Sequence, residues 1–334
     1  MASASAGSPK GNSTFNIGTF LADWGALLAI VVLVVLFTVL AGSVFASFSN
    51  LITILRSISI TTVIAMGVTF GFSVNVFDLS FATLATLAAS VGVTAIAWYG
   101  LPLSVAILLA LLVSCLVGLA NSAIVIKGNV PAFLATLSMQ FILSGAILTY
   151  SGGSMINPNM GPNNTPAVGV VPDAFWAIGD APWIIVIMVV SVVAVEVFQR
   201  YTKFGRMLYM VGSNPEAARL SGVKTNRYRT FAFIMTAVFS AVAGLLMAAR
   251  AGNVVSTAGD SFMMPAIAAV SIGQSFAGRG KANALGTFIG AALVGVVENG
   301  LYALAFPYYA INIVKGAILV GALVMSYVNS RRSA

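Results

Sequence analysis

The chain alternates between long apolar runs and shorter polar stretches. The apolar runs fall at residues 26–46, 51–72, 81–99, 102–126, 131–150, 183–198, 230–249, 262–276, 282–304 and 310–328. A helix needs about 20 apolar residues to cross the hydrocarbon of a bilayer, so each run predicts a membrane span. The pattern therefore predicts an all-α integral membrane protein with about ten transmembrane helices.

The polar stretch at residues 200–229 holds seven of the sixteen Lys and Arg residues of the chain. Within it, Pro215 and Glu216 suit the first turn of a helix, and Gly222 suits the position just after its end. The sequence predicts a short, bounded helix inside residues 212–222. Basic residues alone are enough to orient the chain in the membrane. A bounded helix is not needed for orientation, so we expect this helix to dock a partner.

The basic residues also predict the orientation of the chain. With the N-terminus inside, ten crossings place most of the Lys and Arg residues in the cytoplasm, as the positive-inside rule requires. The loop at residues 151–182 then lies outside, and it contains no Lys or Arg. Arg56, Arg250 and Lys315 are exceptions near the outer ends of spans, where long side chains reach the interface. We predict that both termini are cytoplasmic.

Composition excludes several classes of function. Hydrophobic residues make up 59% of the chain and charged residues 7%, so its surface faces hydrocarbon. His is absent and Cys115 is the single cysteine, which excludes intrachain disulfides and metal sites built from His or Cys clusters. No catalytic set is visible. The net charge of +8 fits the predicted orientation and contact with membrane lipid, and we expect no nucleic-acid partner.

The composition of two segments outside the spans predicts their roles. Residues 1–22 are mostly small and polar and lack a convincing signal-peptide cleavage site, so we predict a flexible cytoplasmic leader before a transmembrane domain at 23–330. The external loop at 151–182 holds five of the eleven prolines, together with Phe175 and Trp176. That loop is either a floppy connector or a platform, folded onto the membrane surface, for an external partner.

Polar side chains inside the apolar regions are candidates for a transport path, because ionisable and amide groups are costly in hydrocarbon. Asp78 or Ser80 either caps the following helix or belongs to a break in the helix that lines a path; both roles are compatible. Glutamines in apolar runs either bond a neighbouring helix or line the path. The candidate path residues are Asn75, Phe77, Asp78, Ser80, Gln140, Gln274 and Phe276.

Two spacings predict specific contacts. Gly286 and Gly290 lie four residues apart, as in helices that approach one another closely in membranes. Glu196 and Arg200 have the same spacing, which predicts an ion pair on one helix face at the cytoplasmic interface.

Several blocks of the chain resemble a known family, and the resemblance extends from about Leu51 to Val328. The similar blocks are Phe77-Asp78-Leu79-Ser80, Gly118-Leu119-Ala120-Asn121, 129–137, Tyr150-Ser151-Gly152-Gly153, 212–222, 265–270, 273–280 and 286–290. No single block decides the matter, but their order and spacing together are specific. The chain resembles the membrane permease subunits of bacterial ABC importers of the ribose/monosaccharide class.

The resemblance implies a function and a set of partners. It implies a permease of the bacterial inner (plasma) membrane that binds no cofactor itself and is not an enzyme. The implied partners are ATP-binding-cassette subunits that hold ATP and Mg, a second permease copy or a paralogue, an extracytoplasmic substrate-binding protein and a small polar substrate. In that family the short cytoplasmic helix is the coupling helix, which implies contacts to the ATPase from Asn214, Glu216, Ala217, Arg219, Leu220 and Gly222.

The chain departs from the family pattern in two regions. Asn75-Val76-Phe77 stands where the family usually has Gly-Gly-Ile, and Gly273-Gln274-Ser275 and Gly278-Arg279-Gly280 replace glycine-rich sequences. Because both regions are candidates for lining the path, we expect these replacements to bear on which molecule is carried. The alternatives are an ABC permease for nucleosides or branched-chain amino acids, and an ion-coupled secondary transporter that uses Asp78.

Overall fold

The computed structural model describes residues 17–162, 165–274, 280–307, 309–314, 316–317 and 320–321. Over these residues the fold is helical, and pairing between extended segments is limited to two isolated bridges, Ile156 with Val254 and Met160 with Pro166. The prediction of an all-α protein is confirmed.

Twelve α-helices have defined bounds within the described residues. They are α1 (Ile17–Ala41), α2 (Phe48–Ser73), α3 (Phe81–Ala97), α4 (Leu103–Ile126), α5 (Ala132–Ser151), α6 (Asp173–Ala177), α7 (Trp183–Tyr201), α8 (Lys203–Ser213), α9 (Pro215–Leu220), α10 (Thr225–Ala251), α11 (Asp260–Gly273) and α12 (Ala284–Ala303). A 3-10 turn, Gly42–Val44, follows α1. Residues 309–314 are helical as well, and most of the predicted span at 310–328 lies outside the described residues.

Seven helices in the described part of the chain are long and apolar enough to cross a membrane: α1, α2, α4, α5, α7, α10 and α12. Two further apolar helices are shorter, because α3 has 17 residues and α11 has 14. At ~1.5 Å per residue their lengths are about 26 and 21 Å, less than a hydrocarbon core of about 30 Å. The structure therefore shows a multi-helix membrane protein whose apolar helices differ in length.

The spans fall into an inner and an outer group. Most residues in the apolar windows of α2, α10 and α12 are buried, whereas most of those in α1, α4, α5 and α7 are not. At the centre, α10 packs against α2, α3 and α4, while α11 packs against α12 and α2. The outer helices present rows of Val, Leu, Ile and Phe, as expected of side chains that meet lipid.

Glycine allows the inner helices to touch through their backbones. A Cβ added at Gly244 of α10 would lie 2.0 Å from the carbonyl oxygen of Ala85 in α3. On α12, a Cβ at Gly286 would lie 2.1 Å from the oxygen of Gly273, and one at Gly290 would lie 2.1 Å from the oxygen of Ala269. The contact predicted from the four-residue glycine spacing is confirmed, with α11 as the partner helix.

Helices extend past two of the predicted boundaries. The leader was placed at residues 1–22, but α1 begins at Ile17, and residues 1–16 lie outside the described part. The loop predicted at 200–229 is largely helical, because α7 runs to Tyr201, α10 begins at Thr225, and α8 and α9 lie between them. Hydropathy shows where the chain enters hydrocarbon, but a helix can continue beyond that point through polar, amphipathic or basic residues. Helices α7 and α10 are therefore longer than the apolar runs that predict them.

The external loop predicted at 151–182 is folded against the helices in its described residues. Ile156 exchanges backbone hydrogen bonds of 2.9 and 3.0 Å with Val254, which follows α10. The indole N–H of Trp98 donates to the carbonyl oxygen of Met160 at 2.9 Å, and α6 buries Phe175. The interpretation as a floppy connector is wrong for these residues, while the external partner stays a prediction.

We predict that Gly244→Ala destabilises the bundle by about 1–3 kcal/mol, because the new methyl group overlaps a backbone oxygen that has no free rotation with which to move away. This cost exceeds the ~1 kcal/mol by which alanine favours a helix over glycine. Thermal unfolding of the purified protein in mild detergent measures the change. Gly145→Ala in α5 is the matched control, since a Cβ there meets no atom within 4 Å. Equal unfolding temperatures for the two variants would contradict the packing argument.

Candidate functional site

The short helix α9 is stabilised at both ends by its own sequence. The side-chain oxygen of Asn214 accepts hydrogen bonds from the amides of Glu216 at 3.1 Å and Ala217 at 2.9 Å, and Pro215 occupies the first turn. At the other end Gly222 has φ +81°, and the next amide, of Val223, donates back to the oxygen of Ala218 at 3.0 Å. This pattern of N-cap, proline and left-handed glycine confirms the predicted bounded helix.

The outward face of α9 carries the residues expected to contact a partner. Glu216, Ala217 and Arg219 are exposed, and Leu220 is 79% exposed. The Arg219 guanidinium pairs with the Glu216 carboxylate, its Nε donating to Oε2 at 3.1 Å. This hydrogen bond, assisted by the positive charge, lowers the pKa of Glu216. The two charges are therefore fixed relative to each other beside an exposed apolar side chain.

Helix α8 ties α9 to the end of α2. It starts at an N-cap in which the Thr202 hydroxyl accepts from the amide of Gly205 at 2.9 Å. Near its other end, a Cβ at Gly212 would lie 2.1 Å from the carbonyl oxygen of Ser73, so a larger residue does not fit. The Asn75 side chain donates from Nδ2 to the oxygen of Gly212 at 2.6 Å, and Asn75 itself has φ +54°. Asparagine tolerates this left-handed backbone better than most residues.

The segment between α2 and α3 is a break in the helical structure, as predicted, and it is held by buried polar contacts. Asp78 Oδ1 accepts from the amide of Ser80 at 2.9 Å and from its hydroxyl at 2.7 Å. The Ser80 hydroxyl also accepts from Asn121 Nδ2 of α4 at 2.8 Å. The amide of Leu79 donates to Thr136 Oγ1 of α5 at 3.0 Å. The break is thus hydrogen-bonded to two other helices.

One part of the interpretation of this break is wrong. The capping role does not hold for Ser80, since its side chain makes no capping hydrogen bond to α3. Asp78 instead binds the amide and hydroxyl of Ser80, just ahead of the helix. Asn75, at the start of the break, contacts Gly212 near the end of α8. The Asp78 carboxylate and side chains of α4 and α5 hydrogen-bond this loop.

The seven candidate path residues are not brought together in one site. Asn75 and Gln274 line one small cavity of about 200 Å³, with Tyr209, Ser213 and Lys281. Asp78 and Ser80 are buried in the break, while Phe77 is 49% exposed and packs on the ring of Phe72 at 4.9 Å between centroids. Gln140 lies one turn beyond Thr136 on α5, and its Oε1 is buried without a hydrogen-bond partner among the described residues. Phe276 lies outside the described residues.

Sequence reasoning missed three residues of this region. Thr136 belongs to a block that resembles the family, but its hydroxyl gives no signal of the contact with Leu79. Tyr209 donates its hydroxyl to Gln199 Oε1 at 3.0 Å and also approaches the oxygen of Ala282 at 2.9 Å. Lys281 was assigned only to the cytoplasmic charge, although it lines the same cavity as Asn75. Contacts between distant segments of this kind leave no local pattern.

Charged groups at the opposite end of the bundle form a second polar region. Arg56, near the start of α2, pairs with Asp180 at 3.5 Å. Arg250, near the end of α10, lines a cavity of about 370 Å³ together with Glu298 and Ser57. Both arginines lie far from α9 along their helices.

Comparison with known proteins identifies the family. The family model described as branched-chain amino acid transport system / permease component matches residues 50–323. The chain belongs to this permease family. A ribose import permease protein, RbsC, of Haemophilus influenzae is 32% identical over 326 residues, covering 96% of this chain and 98% of its own. RbsC of Escherichia coli is 30% identical over 311 residues, covering 92% and 94%.

A xylose transport system permease protein, XylH, of Haemophilus influenzae is 26% identical to this chain over 360 residues. The match covers 92% of this chain and 96% of XylH. No solved structure matches the chain. The family match includes the break, α9 and α10 to α12. Together with the apolar helices, it shows a multi-pass permease of the inner membrane.

We predict that Asp78→Ala lowers the stability of the permease by about 1–3 kcal/mol, because it leaves the buried amide and hydroxyl of Ser80 without their acceptor. Asp78→Asn retains an acceptor oxygen and should cost less. The matched control for loss of one acid is Asp173→Ala, at an exposed position in α6. Thermal unfolding in detergent ranks the three variants. An unfolding temperature for Asp78→Ala equal to that of the control would contradict a structural role for the network.

Proposed function

We propose that this permease is the transmembrane subunit of a binding-protein-dependent ABC importer that takes up a monosaccharide by ATP-driven alternating access. The observation that carries the proposal is α9, a preformed exposed helix joined through Gly212 and Asn75 to the end of α2. The substrate class is supported by relatives named as ribose and xylose permeases, which align over nearly the whole chain.

The proposed partner at α9 is an ATP-binding-cassette subunit, which would hold ATP and Mg; this chain itself binds no cofactor. Glu216 and Arg219 would set the register of the contact, and Leu220 would fill an apolar pocket. Asn214, Ala217 and Gly222 keep the helix formed or allow close approach. Because α9 is already capped, little conformational entropy is lost when it docks.

The route for motion follows from the contacts around α8. A displacement of α9 moves Gly212, which is packed on the oxygen of Ser73 and bonded to Asn75. The break that contains Asn75 is hydrogen-bonded to α4 and α5 through Asn121 and Thr136. We assign Asn75 to coupling, and Gln274 and Gln140 to the polar lining of the path. A change of access would arise as these packed helices shift against one another.

The proposed external partner is a substrate-binding protein that docks on the folded loop after α5. The loop exposes apolar side chains at Val168 and Val170, which are 76% and 89% exposed, and it is fixed to α3 through Trp98. A second permease copy or a paralogue would complete the path. The description of the family keeps branched-chain amino acids as the alternative cargo, and uptake with each binding protein distinguishes them.

The proposed topology has ten crossings with both termini in the cytoplasm. It combines the seven long helices with α3, α11 and the span predicted at 310–328. In support, the cations of α8, α9 and the start of α10 lie at one end of the bundle, and Arg56 and Arg250 lie at the other. Helices α3 and α11 are counted as crossings although they are shorter than the hydrocarbon core is thick, and neighbouring helices cover them.

We predict that reversing the charges on α9, in E216R/R219E, reduces uptake roughly tenfold or more, because like charges then face each other across the docked interface. The swap retains the ion pair within α9, so the fold should be preserved. The helix macrodipole slightly disfavours the reversed order, so E216A/R219A is measured in parallel. Uptake and ATP hydrolysis in proteoliposomes containing the partner ATPase give the readout.

The control for the charge reversal is K203E, which changes an exposed charge on α8 outside α9. Both double variants should still purify as folded protein, with ATP hydrolysis no longer stimulated by the loaded binding protein. If uptake by both double variants equals that of K203E, α9 is not the coupling helix.

We predict the orientation of each loop from thiol labelling of intact cells. In a Cys115→Ala background, a cysteine at Ser154 should react with a membrane-impermeant reagent, since this exposed residue lies in the external loop. A cysteine at Ser213, exposed beside α9, should react only after the membrane is permeabilised. The reverse pattern of labelling would contradict cytoplasmic termini.

A further inference from the structure

A basic cavity opens where α7, α8 and the start of α12 meet. Its volume is about 390 Å³, and its lining includes Arg200, Arg206, Tyr209, Lys281 and Glu196. Three cations and one carboxylate leave the lining with a net charge of +2. This cavity shares Tyr209 and Lys281 with the smaller cavity of Asn75 and Gln274, but neither Asn75 nor Gln274 nor any residue of α9 lines it.

The cations are positioned by neighbouring groups. Lys281 Nζ lies 5.9 Å from the centre of the Tyr209 ring, and Arg206 donates to the carbonyl oxygen of Tyr201 at 3.3 Å. The Glu196 carboxylate is buried and lies 3.9 Å from Arg200, which confirms the predicted ion pair. Glu196 also accepts from the first-turn amide of Leu285 in α12 at 3.4 Å. The negative charge is thus balanced by Arg200, while Arg206 and Lys281 line the cavity as exposed residues.

An apolar surface continues from this cavity along the membrane-facing side of α7. Val193 and Val197 lie on the same helix face as Arg200, since they precede it by seven and three residues. They are 54% and 48% exposed. Leu285 of α12, whose amide contacts Glu196 on the same helix α7, is 37% exposed. A charged recess beneath an exposed aliphatic surface matches a molecule with an anionic head and a hydrocarbon tail.

The position of α8 indicates the source of that molecule. Helix α8 buries Gly205, Leu208 and Val211, while Met207 and Met210 are partly exposed beside the basic residues. An amphipathic helix of this kind, directly after a membrane span, lies in the interface between headgroups and acyl chains. Basic pockets between membrane helices at this depth suit anionic headgroups.

We propose that this cavity is a binding site for an anionic phospholipid. Arg206 and Lys281 bind the headgroup phosphate, Tyr209 and Arg200 form the wall, and the acyl chains lie on Val193, Val197 and Leu285. A lipid bound there braces the junction of α7 and α8, next to the coupling helix. The inference holds whether or not the permease carries a monosaccharide.

The test compares lipid retention in purified full-length permease by native mass spectrometry. After delipidation, the protein is exposed to phosphatidylglycerol, phosphatidylethanolamine or phosphatidylcholine. We expect preferential retention of phosphatidylglycerol, weakened roughly tenfold in R206Q/K281Q, because each basic residue near the surface contributes to anionic lipid binding. The control K224Q/R227Q removes two exposed cations outside the cavity and should retain the lipid unchanged.

Three outcomes would overturn the proposal. The first is an equal loss of phosphatidylglycerol in both double variants, which would show only general attraction to charge. The second is equal retention of the three lipids by the unmodified permease. The third is displacement of the lipid by millimolar inorganic phosphate, or equal binding of a short-chain phosphatidylglycerol, which would indicate a free-anion site without acyl contacts. Matching unfolding temperatures of the variants exclude misfolding as the cause of a loss.

Discussion

Close backbone contact between α2 and α10 is the interaction on which the rest of the bundle depends. At their crossing, a Cβ added to Gly67 would lie 3.1 Å from the Cα of Thr236, and the Thr236 hydroxyl donates to the Gly67 oxygen at 3.0 Å. Lipid chains are as apolar as leucine, so helices in a bilayer associate through tight packing and hydrogen bonds. With this pair fixed, α3 and α4 pack on α10, and α7, α11 and α12 pack on α2.

The same lack of water explains the polar break after α2. A chain that leaves a helix within a protein interior must satisfy its amides and carbonyls from other parts of the protein. Here a buried carboxylate, an amide from α4 and a hydroxyl from α5 supply the partners. The loop is consequently bonded to several helices, and a further hydrogen bond, from Asn75 to Gly212, connects it with α8, which precedes the proposed coupling helix. The hydrogen bonds that stabilise the break are therefore the same contacts that form the proposed route of motion.

The amino-acid sequence determined the features that depend on neighbouring residues. Runs of apolar residues predict spans because hydropathy is local, and Asn214, Pro215 and Gly222 predict α9 because caps act within one or two turns. Glu196 and Arg200 pair as their spacing requires. The gathering of basic residues around α9 also follows from the sequence. The resemblance to permeases was visible in the order of the blocks, and the family match agrees with it.

Only the tertiary structure decided which distant segments meet. Asn75 was a candidate for the transport path, yet it bonds Gly212, which is 137 residues away. Glu216 and Arg219 were expected to face a partner, and in this chain they pair with each other. Nor did hydropathy reveal that Arg206 and Lys281 share one cavity. Hydropathy and capping are read from adjacent residues, whereas such contacts depend on how glycine-mediated packing brings separate helices together.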